Sequence, residues 1–325
     1  MLLPFCAYSR ELTSNIECCA CPDYQQTTPT PTPTTYSPPF KAVEDIEILY
    51  NGGRVMTSDI NVYMIYVGFD INSDVSKYLN NFIYYLRDSK WWEPLKYYHG
   101  ENNIIPSGNV ILRDTIYIPT WPGVLDFSTF DNIGYYINNT IFNRYSQQPP
   151  DKNGIYALVH VHSPNIIANT FGCAFHGPIY YNWPNSDEFM NYIYLPQPSP
   201  TISQTETCTG WIYSLTNQGT SSPSGDFVTD TMADSLGHEM YESVTDPSGD
   251  GWHGLSGMIS ENGDFCRSIY LPTQTSWDKN HVLNTMMFLG RNVSFNQIIG
   301  NYPYILQTMW NPTLNTTTGY QTGCI

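Results

Sequence analysis

Residues 61–68 read Asn-Val-Tyr-Met-Ile-Tyr-Val-Gly, and this almost continuously apolar run predicts a buried strand. Ser73 follows as a candidate helix N-cap, and apolar side chains then recur at helical spacing as far as Leu86. A strand that leads directly into a helix is the first unit of an α/β sheet, so this stretch predicts the fold class.

The alternation of strands and helices continues after this unit. Residues 110–118 and 155–162 are strand candidates, and residues 127–145 and 230–244 are helix candidates. We therefore predict an α/β (α+β) fold with a mixed sheet, formed by a single globular domain over residues 41–325.

Two segments of different character precede this domain. Residues 27–40, TTPTPTPTTYSPPF, predict an extended stalk, because proline disfavours helices and central strands. The stalk is either an unmodified linker or O-glycosylated, with candidate sites at Thr27, Thr28, Thr30, Thr32, Thr34 and Thr35. Residues 1–26 form a Cys-rich head that is too short for a core of its own. We expect the head to be cross-linked, or docked on the globular domain or on a neighbouring subunit of a polymer.

Composition limits the partners and the compartment. The 325 residues include 13 Lys plus Arg and 29 Asp plus Glu, a net charge of −16, which excludes a basic surface for nucleic acid. No apolar run is long enough to span a membrane. The 26 Tyr, 24 Pro and 23 Gly predict an aromatic, turn-rich surface able to hold carbohydrate or protein. Together these features predict a secreted, extracellular or cell-surface protein.

Cysteines and glycosylation sequons favour the same compartment. The disulfide candidates are Cys6, Cys18, Cys19, Cys21, Cys173, Cys208, Cys266 and Cys324. Two bridges before the stalk and two after it are the simplest arrangement, and a bridge from Cys324 to another chain is the alternative. N-glycosylation candidates are Asn138, Asn292 and Asn315. Residues 1–5 lack the features of a secretory signal, so we expect a removed signal or an incomplete start.

Residues 236–242, LGHEMYE, carry the strongest chemical motif. On a helix, His238 and Glu242 lie on one face one turn apart, which is the spacing of two metal ligands. Glu239 occupies the position that the general base holds in zinc hydrolases with an HExxH helix. Since a carboxylate replaces the second imidazole, we predict zinc as the cofactor and keep calcium and manganese as alternatives.

A third metal ligand has to come from outside this helix. Glu261 is the first candidate and Asp264 the second, because both follow the helix at the spacing of a distant carboxylate ligand. A metal-binding helix in the C-terminal half of an α/β chain predicts a zincin-like domain. The simpler alternative is an exposed helix with a solvated His–Glu pair. Four further histidines have no assigned role; these are His160 and His162, which alternate on a strand, and His176 and His253.

Several short motifs follow one another along the chain. They are YNGGRVM at 50–56 with NVYMIYVG at 61–68, Trp91-Trp92, FGC at 171–173 with His176-Gly177, GHE at 237–239 with Glu242 and TDP at 245–247, and finally Glu261, Gly263-Asp264 and Cys266. In this order they resemble the phosphate-induced protein family, the EXORDIUM-like proteins of plants, over roughly residues 50–325. The resemblance implies secretion to the cell wall or extracellular matrix and a link to growth, and it implies no particular reaction.

Two functions from different classes fit these features. The first is a secreted structural glycoprotein of the extracellular matrix or cell surface, which associates with itself or with other matrix components and forms a polymer or fibril through its N-terminal segment. The alternative is a secreted zinc-dependent hydrolase, with a peptide bond as its target, in which Glu239 is the general base.

Overall fold

The structure is a computed structural model that describes residues 47–119, 130–145, 151–161, 173–180, 189–198, 212, 221–254, 261–266, 284–314 and 321–324. The predictions for the head and the stalk, at residues 1–40, lie outside these ranges. Their four cysteines and the six candidate O-glycosylation sites therefore stay predictions.

Helices and strands alternate through the first half of the described chain. In chain order the elements are β1 (Ile48–Tyr50), β2 (Ile60–Val67), α1 (Asp74–Leu86), β3 (Val110–Ile118), α2 (Phe130–Arg144), β4 (Gly154–His160), β5 (Phe175–Tyr180), β6 (Phe189–Pro196), α3 (Phe227–Thr245), β7 (Trp252–Gly254), β8 (Asn284–Phe288), β9 (Arg291–Phe295), β10 (Gln297–Ile299), β11 (Tyr302–Tyr304), β12 (Trp310–Leu314) and β13 (Gln321–Cys324). Short 3₁₀ helices cover Glu93–Tyr97, Glu101–Asn103 and Asp264–Cys266.

A five-stranded sheet with the order β3-β2-β4-β6-β5 forms the centre of the fold. The first four strands are parallel, and β5 runs antiparallel to β6 at the edge. Strand β2, which contains the apolar run, pairs with β3 on one side and with β4 on the other. The predicted α/β fold with a mixed sheet is confirmed.

Helices cover both faces of this sheet, which explains the nearly continuous apolar sequence of β2. On one face Val62, Met64 and Tyr66 pack into a core with residues of α1 and α3. On the opposite face Ile65 and Val67 pack against apolar side chains of α2. Alternate side chains of one strand therefore fill two separate cores.

Local sequence signals account for the ends of the two helices on the first face. The Ser73 hydroxyl accepts a hydrogen bond from the Ser76 amide at 3.2 Å, which caps α1 as predicted. Asp226 caps α3 through bonds from the amides of Val228 and Thr229. Helix α3 ends one residue before Asp246, as expected of the residue that precedes a proline. Most of α3 is buried, so its polar face lies inside the protein.

Many tyrosines lie in the core, which corrects the prediction of a tyrosine-rich surface. Six of them are among the largest fully buried side chains, namely Tyr66, Tyr98, Tyr156, Tyr194, Tyr241 and Tyr304. A tyrosine ring can be buried when its hydroxyl finds an acceptor, as Tyr78 does at 2.8 Å from the Pro303 carbonyl. Tyr84, Tyr97 and Tyr135 are exposed.

Asp230 is a buried carboxylate in the first turn of α3. It accepts a hydrogen bond from the Ser224 amide at 3.0 Å. Burial raises the pKa of Asp230 to about 6, against the opposing effect of nearby hydrogen-bond donors, among them the Ser224 amide. Because the folded state binds this proton more tightly than the unfolded state, its contribution to stability is complete at low pH and is lost as the pH rises through 6.

We therefore expect Asp230→Asn to remove this loss of stability. Relative to the parent protein, the variant should gain about 2 kcal/mol in the free energy of unfolding between pH 4 and pH 7, because the raised pKa of Asp230 makes the parent lose that much over this range. Urea unfolding of both proteins at the two pH values measures the gain. An equal difference between the two proteins at pH 4 and at pH 7 would contradict the assignment.

None of the helices that the structure describes has the length and apolar character needed to cross a membrane.

Candidate metal centre

Helix α3 brings His238, Glu239 and Glu242 to the buried side of the domain. His238 Nε2 lies 3.1 Å from Glu242 Oε2, so the predicted pair one helical turn apart does converge. Two donor atoms bound to one zinc ion at about 2.0–2.1 Å in a tetrahedron are about 3.4 Å apart. The pair therefore has the spacing of two ligands of one cation.

Gly237, next to His238 on α3, determines how closely this helix packs against the aromatic side chains beneath it. A Cβ atom on Gly237 would lie 2.8 Å from Trp91 Cη2 and 3.2 Å from Phe82 Cζ. Glycine at this position lets α3 approach the aromatic layer beneath it, which sets the depth at which His238 sits.

His176, near the start of edge strand β5, enters the same centre. Its Nδ1 lies 3.0 Å from Glu239 Oε2 and 3.7 Å from Glu242 Oε2, and its Nε2 lies 3.4 Å from Glu261 Oε1. The sequence assigns no role to His176, because this residue is 63 positions from Glu239 and local periodicity carries no information over that distance. The only sequence feature that pointed to His176 was its place in the family motif, FGC at 171–173 with His176-Gly177.

Residues 261–266 close the other side of the centre. Glu242 Oε1 accepts hydrogen bonds from the amides of Gly263 at 3.1 Å and Asp264 at 3.2 Å. A Cβ atom on Gly263 would lie 2.8 Å from both Glu242 Oε1 and His238 Nδ1, so a larger residue does not fit without a shift. The turn brings Asp264 Oδ1 to 3.8 Å from His238 Nε2.

This turn is attached to the rest of the domain by several bonds. Cys266 and Cys324 form a disulfide. The Gln307 side chain donates to the Gly263 carbonyl at 2.9 Å, and the Asn262 side chain donates to Thr245 Oγ1 at 2.8 Å. The intrachain disulfide occupies Cys324, which the alternative arrangement would have used to join another chain.

Four carboxylates and two imidazoles are thus collected in one place. Five of the six have donor atoms in two groups within 4.8 Å, His176–Glu239–Glu242 and His238–Glu242–Asp264, with Glu242 in both. The sixth, Glu261, lies beside His176 Nε2 and belongs to neither group. Glu242 is at the bottom, with 3% of its side chain exposed, whereas Asp264 and Glu261 lie near the rim at 23% and 24%. The centre is therefore buried at its base and open to solvent at one side.

The electrostatics of the centre favour a cation. Burial raises the pKa of Glu242 to about 8, and the charge of Glu261 acts in the same direction. Burial opposes a charge on His176, yet Glu261 and Glu239 hold its pKa well above the ordinary value. The pKa of His238 is also raised well above the ordinary value, because Glu242 outweighs burial. All three groups therefore hold their protons tightly, because several carboxylates are close together in a buried place. A divalent cation would neutralise the same negative charge.

The predicted site residues divide into three sets. His238, Glu239, Glu242 and both candidate third ligands, Glu261 and Asp264, come together in the centre; Asp264 is the one that joins the His238–Glu242 group. His160 is buried in β4 and His253 lies on β7, and neither joins a donor group of the described residues. His162, Cys208 and Asn315 lie outside the described residues.

The remaining modification candidates occupy different surroundings. Asn292 is exposed on β9, whereas Asn138 is half-buried on α2. Cys173 is also disulfide-bonded. Glycosylation at the two asparagines stays a prediction.

Comparison with protein families identifies the chain. The family model described as phosphate-induced protein 1 conserved region matches residues 48–319, which contain the whole centre. The chain belongs to the phosphate-induced protein 1 family. In this member the family region begins at β1 and contains all six residues of the centre, while residues 1–47 precede it. Searches among curated proteins and among solved structures found no match.

Proposed function

We propose that this phosphate-induced protein is an extracellular metal-dependent hydrolase that cleaves peptide bonds at the α3 centre, in a zincin-like arrangement. The single observation that carries the proposal is the convergence of His238, Glu242 and Asp264 beside Glu239. An extracellular location is supported by the Cys266–Cys324 disulfide, the sequons and the acidic, lysine-poor composition.

The donor set decides which cation fits. Imidazole nitrogen together with carboxylate oxygen suits zinc, and manganese is the next candidate. Calcium binds oxygen ligands almost exclusively, so the two histidines disfavour it. His238, Glu242 and Asp264 would hold the first cation, with the Gly263 and Asp264 amides fixing the orientation of the Glu242 carboxylate.

The chain's own residues supply binding and proton transfer. A divalent cation in this place acts as a Lewis acid that polarises a carbonyl group and makes water more acidic. Glu239 takes the proton from the attacking water and passes it to the leaving amine. His176 fixes the Glu239 carboxylate through the 3.0 Å contact between Nδ1 and Oε2.

The edge strand supports a peptide as the substrate. Among the strands that the structure describes, β5 pairs only with β6, and its first residues lie at the centre. An extended peptide can add to the free edge of a sheet through backbone hydrogen bonds, and here this would place it beside His176 and Glu239.

We expect Glu239→Gln to lower peptide hydrolysis at least about 100-fold, because the proton acceptor is lost. The cation in the His238 group should stay bound, since Glu239 is not one of its ligands. Cleavage of a peptide library, followed by mass spectrometry, and metal analysis of the same preparation provide the two measurements. Glu101→Gln, at an exposed glutamate outside the centre, is the matched control and should retain activity. Full activity of Glu239→Gln would refute the assigned base.

A structural role is the second candidate, and one observation favours it. Because the Glu242 carboxylate that would bind the cation also holds the amides of Gly263 and Asp264, a cation here would tie residues 261–266 to α3. The protein would then be a matrix or cell-surface component that self-associates through residues 1–39. Absence of cleavage by the metal-loaded parent, with loss of multimers on deletion of residues 1–39, would favour this candidate.

A further inference from the structure

We propose that the α3 centre holds two divalent cations, bridged by Glu242. The inference rests on the proposed function, since it defines the number and the arrangement of the cations at that site. The first cation takes His238 and Asp264, and the second takes His176 and Glu239.

The separation of the donor atoms is the first argument. His176 and His238 do not belong to a common group of donors within 4.8 Å of one another. Two donors on one cation can be at most about twice the bond length apart, roughly 4.4 Å, even on opposite sides of it. One cation therefore cannot bind both histidines in this arrangement. Each histidine nevertheless belongs to its own group of three donors.

Glu242 has the geometry of a bridging ligand. Its Oε2 lies 3.1 Å from His238 Nε2 and 3.7 Å from His176 Nδ1, so the same oxygen faces both groups. Its Oε1 is held by the two amides of the 261–266 turn. Two cations bound to one oxygen at about 2.0–2.2 Å are at most about 4.4 Å apart, which includes the 3.5–4 Å separation typical of two-metal hydrolytic sites.

Charge balance is the second argument. Glu239, Glu242, Glu261 and Asp264 supply four negative charges, and histidine binds metals in its neutral form. One divalent cation would leave two negative charges uncompensated in a largely buried site, whereas two cations neutralise all four.

His176 also has the outer partner that metal-bound histidines usually have. When Nδ1 binds the second cation, Nε2 carries the proton and faces Glu261 Oε1 at 3.4 Å. The second cation then replaces the direct contact between His176 Nδ1 and Glu239 Oε2, binds both atoms, and leaves Glu239 Oε1 as the proton acceptor. The second cation is thus compatible with the proposed role of Glu239.

Manganese titration of the full chain tests the inference. We expect two Mn²⁺ ions per chain after dialysis, measured by elemental analysis, and an electron paramagnetic resonance spectrum with exchange coupling between the two ions. Exchange coupling requires a ligand that bridges the two ions, so separate surface sites do not produce it.

Variants assign the two positions. His176→Gln is expected to reduce the stoichiometry from two to one and to abolish the coupling, while His253→Gln, a histidine outside both groups, should keep two coupled ions. Saturation of the parent at one ion, or two ions without coupling, would overturn the inference and leave the proposed hydrolase in place. A parent chain that binds no ion would overturn both.

Discussion

Replacing Glu242 by glutamine is expected to lower the affinity of the protein for Zn²⁺ or Mn²⁺ by at least about 100-fold. Glu242 belongs to both donor groups, and its second oxygen accepts the two amide hydrogen bonds that position Asp264. The substitution therefore removes a charged ligand and disturbs the orientation of a second one. Isothermal titration of the metal-free protein measures the effect.

Glu101→Gln again provides the control, because it removes one carboxylate at the surface and should leave the affinity unchanged. Circular dichroism of both variants shows whether the fold is retained. An affinity of Glu242→Gln equal to that of the parent protein would mean that the cation is bound elsewhere or that Glu242 has a purely structural role.

Removing the Cys266–Cys324 disulfide should cause the largest loss of stability. The two cysteines are 58 positions apart, and closing a loop of this length contributes about 4 kcal/mol by restricting the unfolded chain. The double variant Cys266→Ser with Cys324→Ser should lower the free energy of unfolding by about this amount. Guanidinium unfolding under non-reducing conditions measures the difference.

The same variant also tests the connection between the disulfide and the centre. Cys266 ends the 3₁₀ helix that contains Asp264, so we expect weaker cation binding together with the lower stability. Mass spectrometry of non-reduced peptides from the parent protein provides the control that the bridge is formed. An unchanged unfolding midpoint in the double variant would contradict the expected contribution.

Much of the fold could be predicted because its signals are local. The apolar run at 61–68 indicated a buried strand, and the structure places it inside the sheet between β3 and β4. Ser73 indicated the start of α1 through the chemistry of a single cap. The predicted strand over residues 110–118 and the helix near 230–244 also agree closely with β3 and α3.

The edge of the sheet could not be predicted in the same way. Strand β5 contains Gly177 and Pro178, which weaken its strand signal, and nothing in its own residues shows that it runs antiparallel to β6. The position of His176 in the centre could not be predicted for this reason and because the residue lies 63 positions from Glu239. The order of preference between Glu261 and Asp264 also needed the structure, since both have suitable spacing along the chain.

The sequence by itself determined the pair His238 and Glu242, because the pitch of an α-helix places residues four apart on one face wherever that helix lies. It also determined the α/β class, because burial on one or two faces leaves a periodic pattern in the chain. Only the tertiary structure decided that His176 joins the centre and that Asp264, rather than Glu261, joins the His238–Glu242 group. Their approach depends on strand order and on a turn held by Glu242, and contacts across such distances leave no periodic trace in the residues that make them.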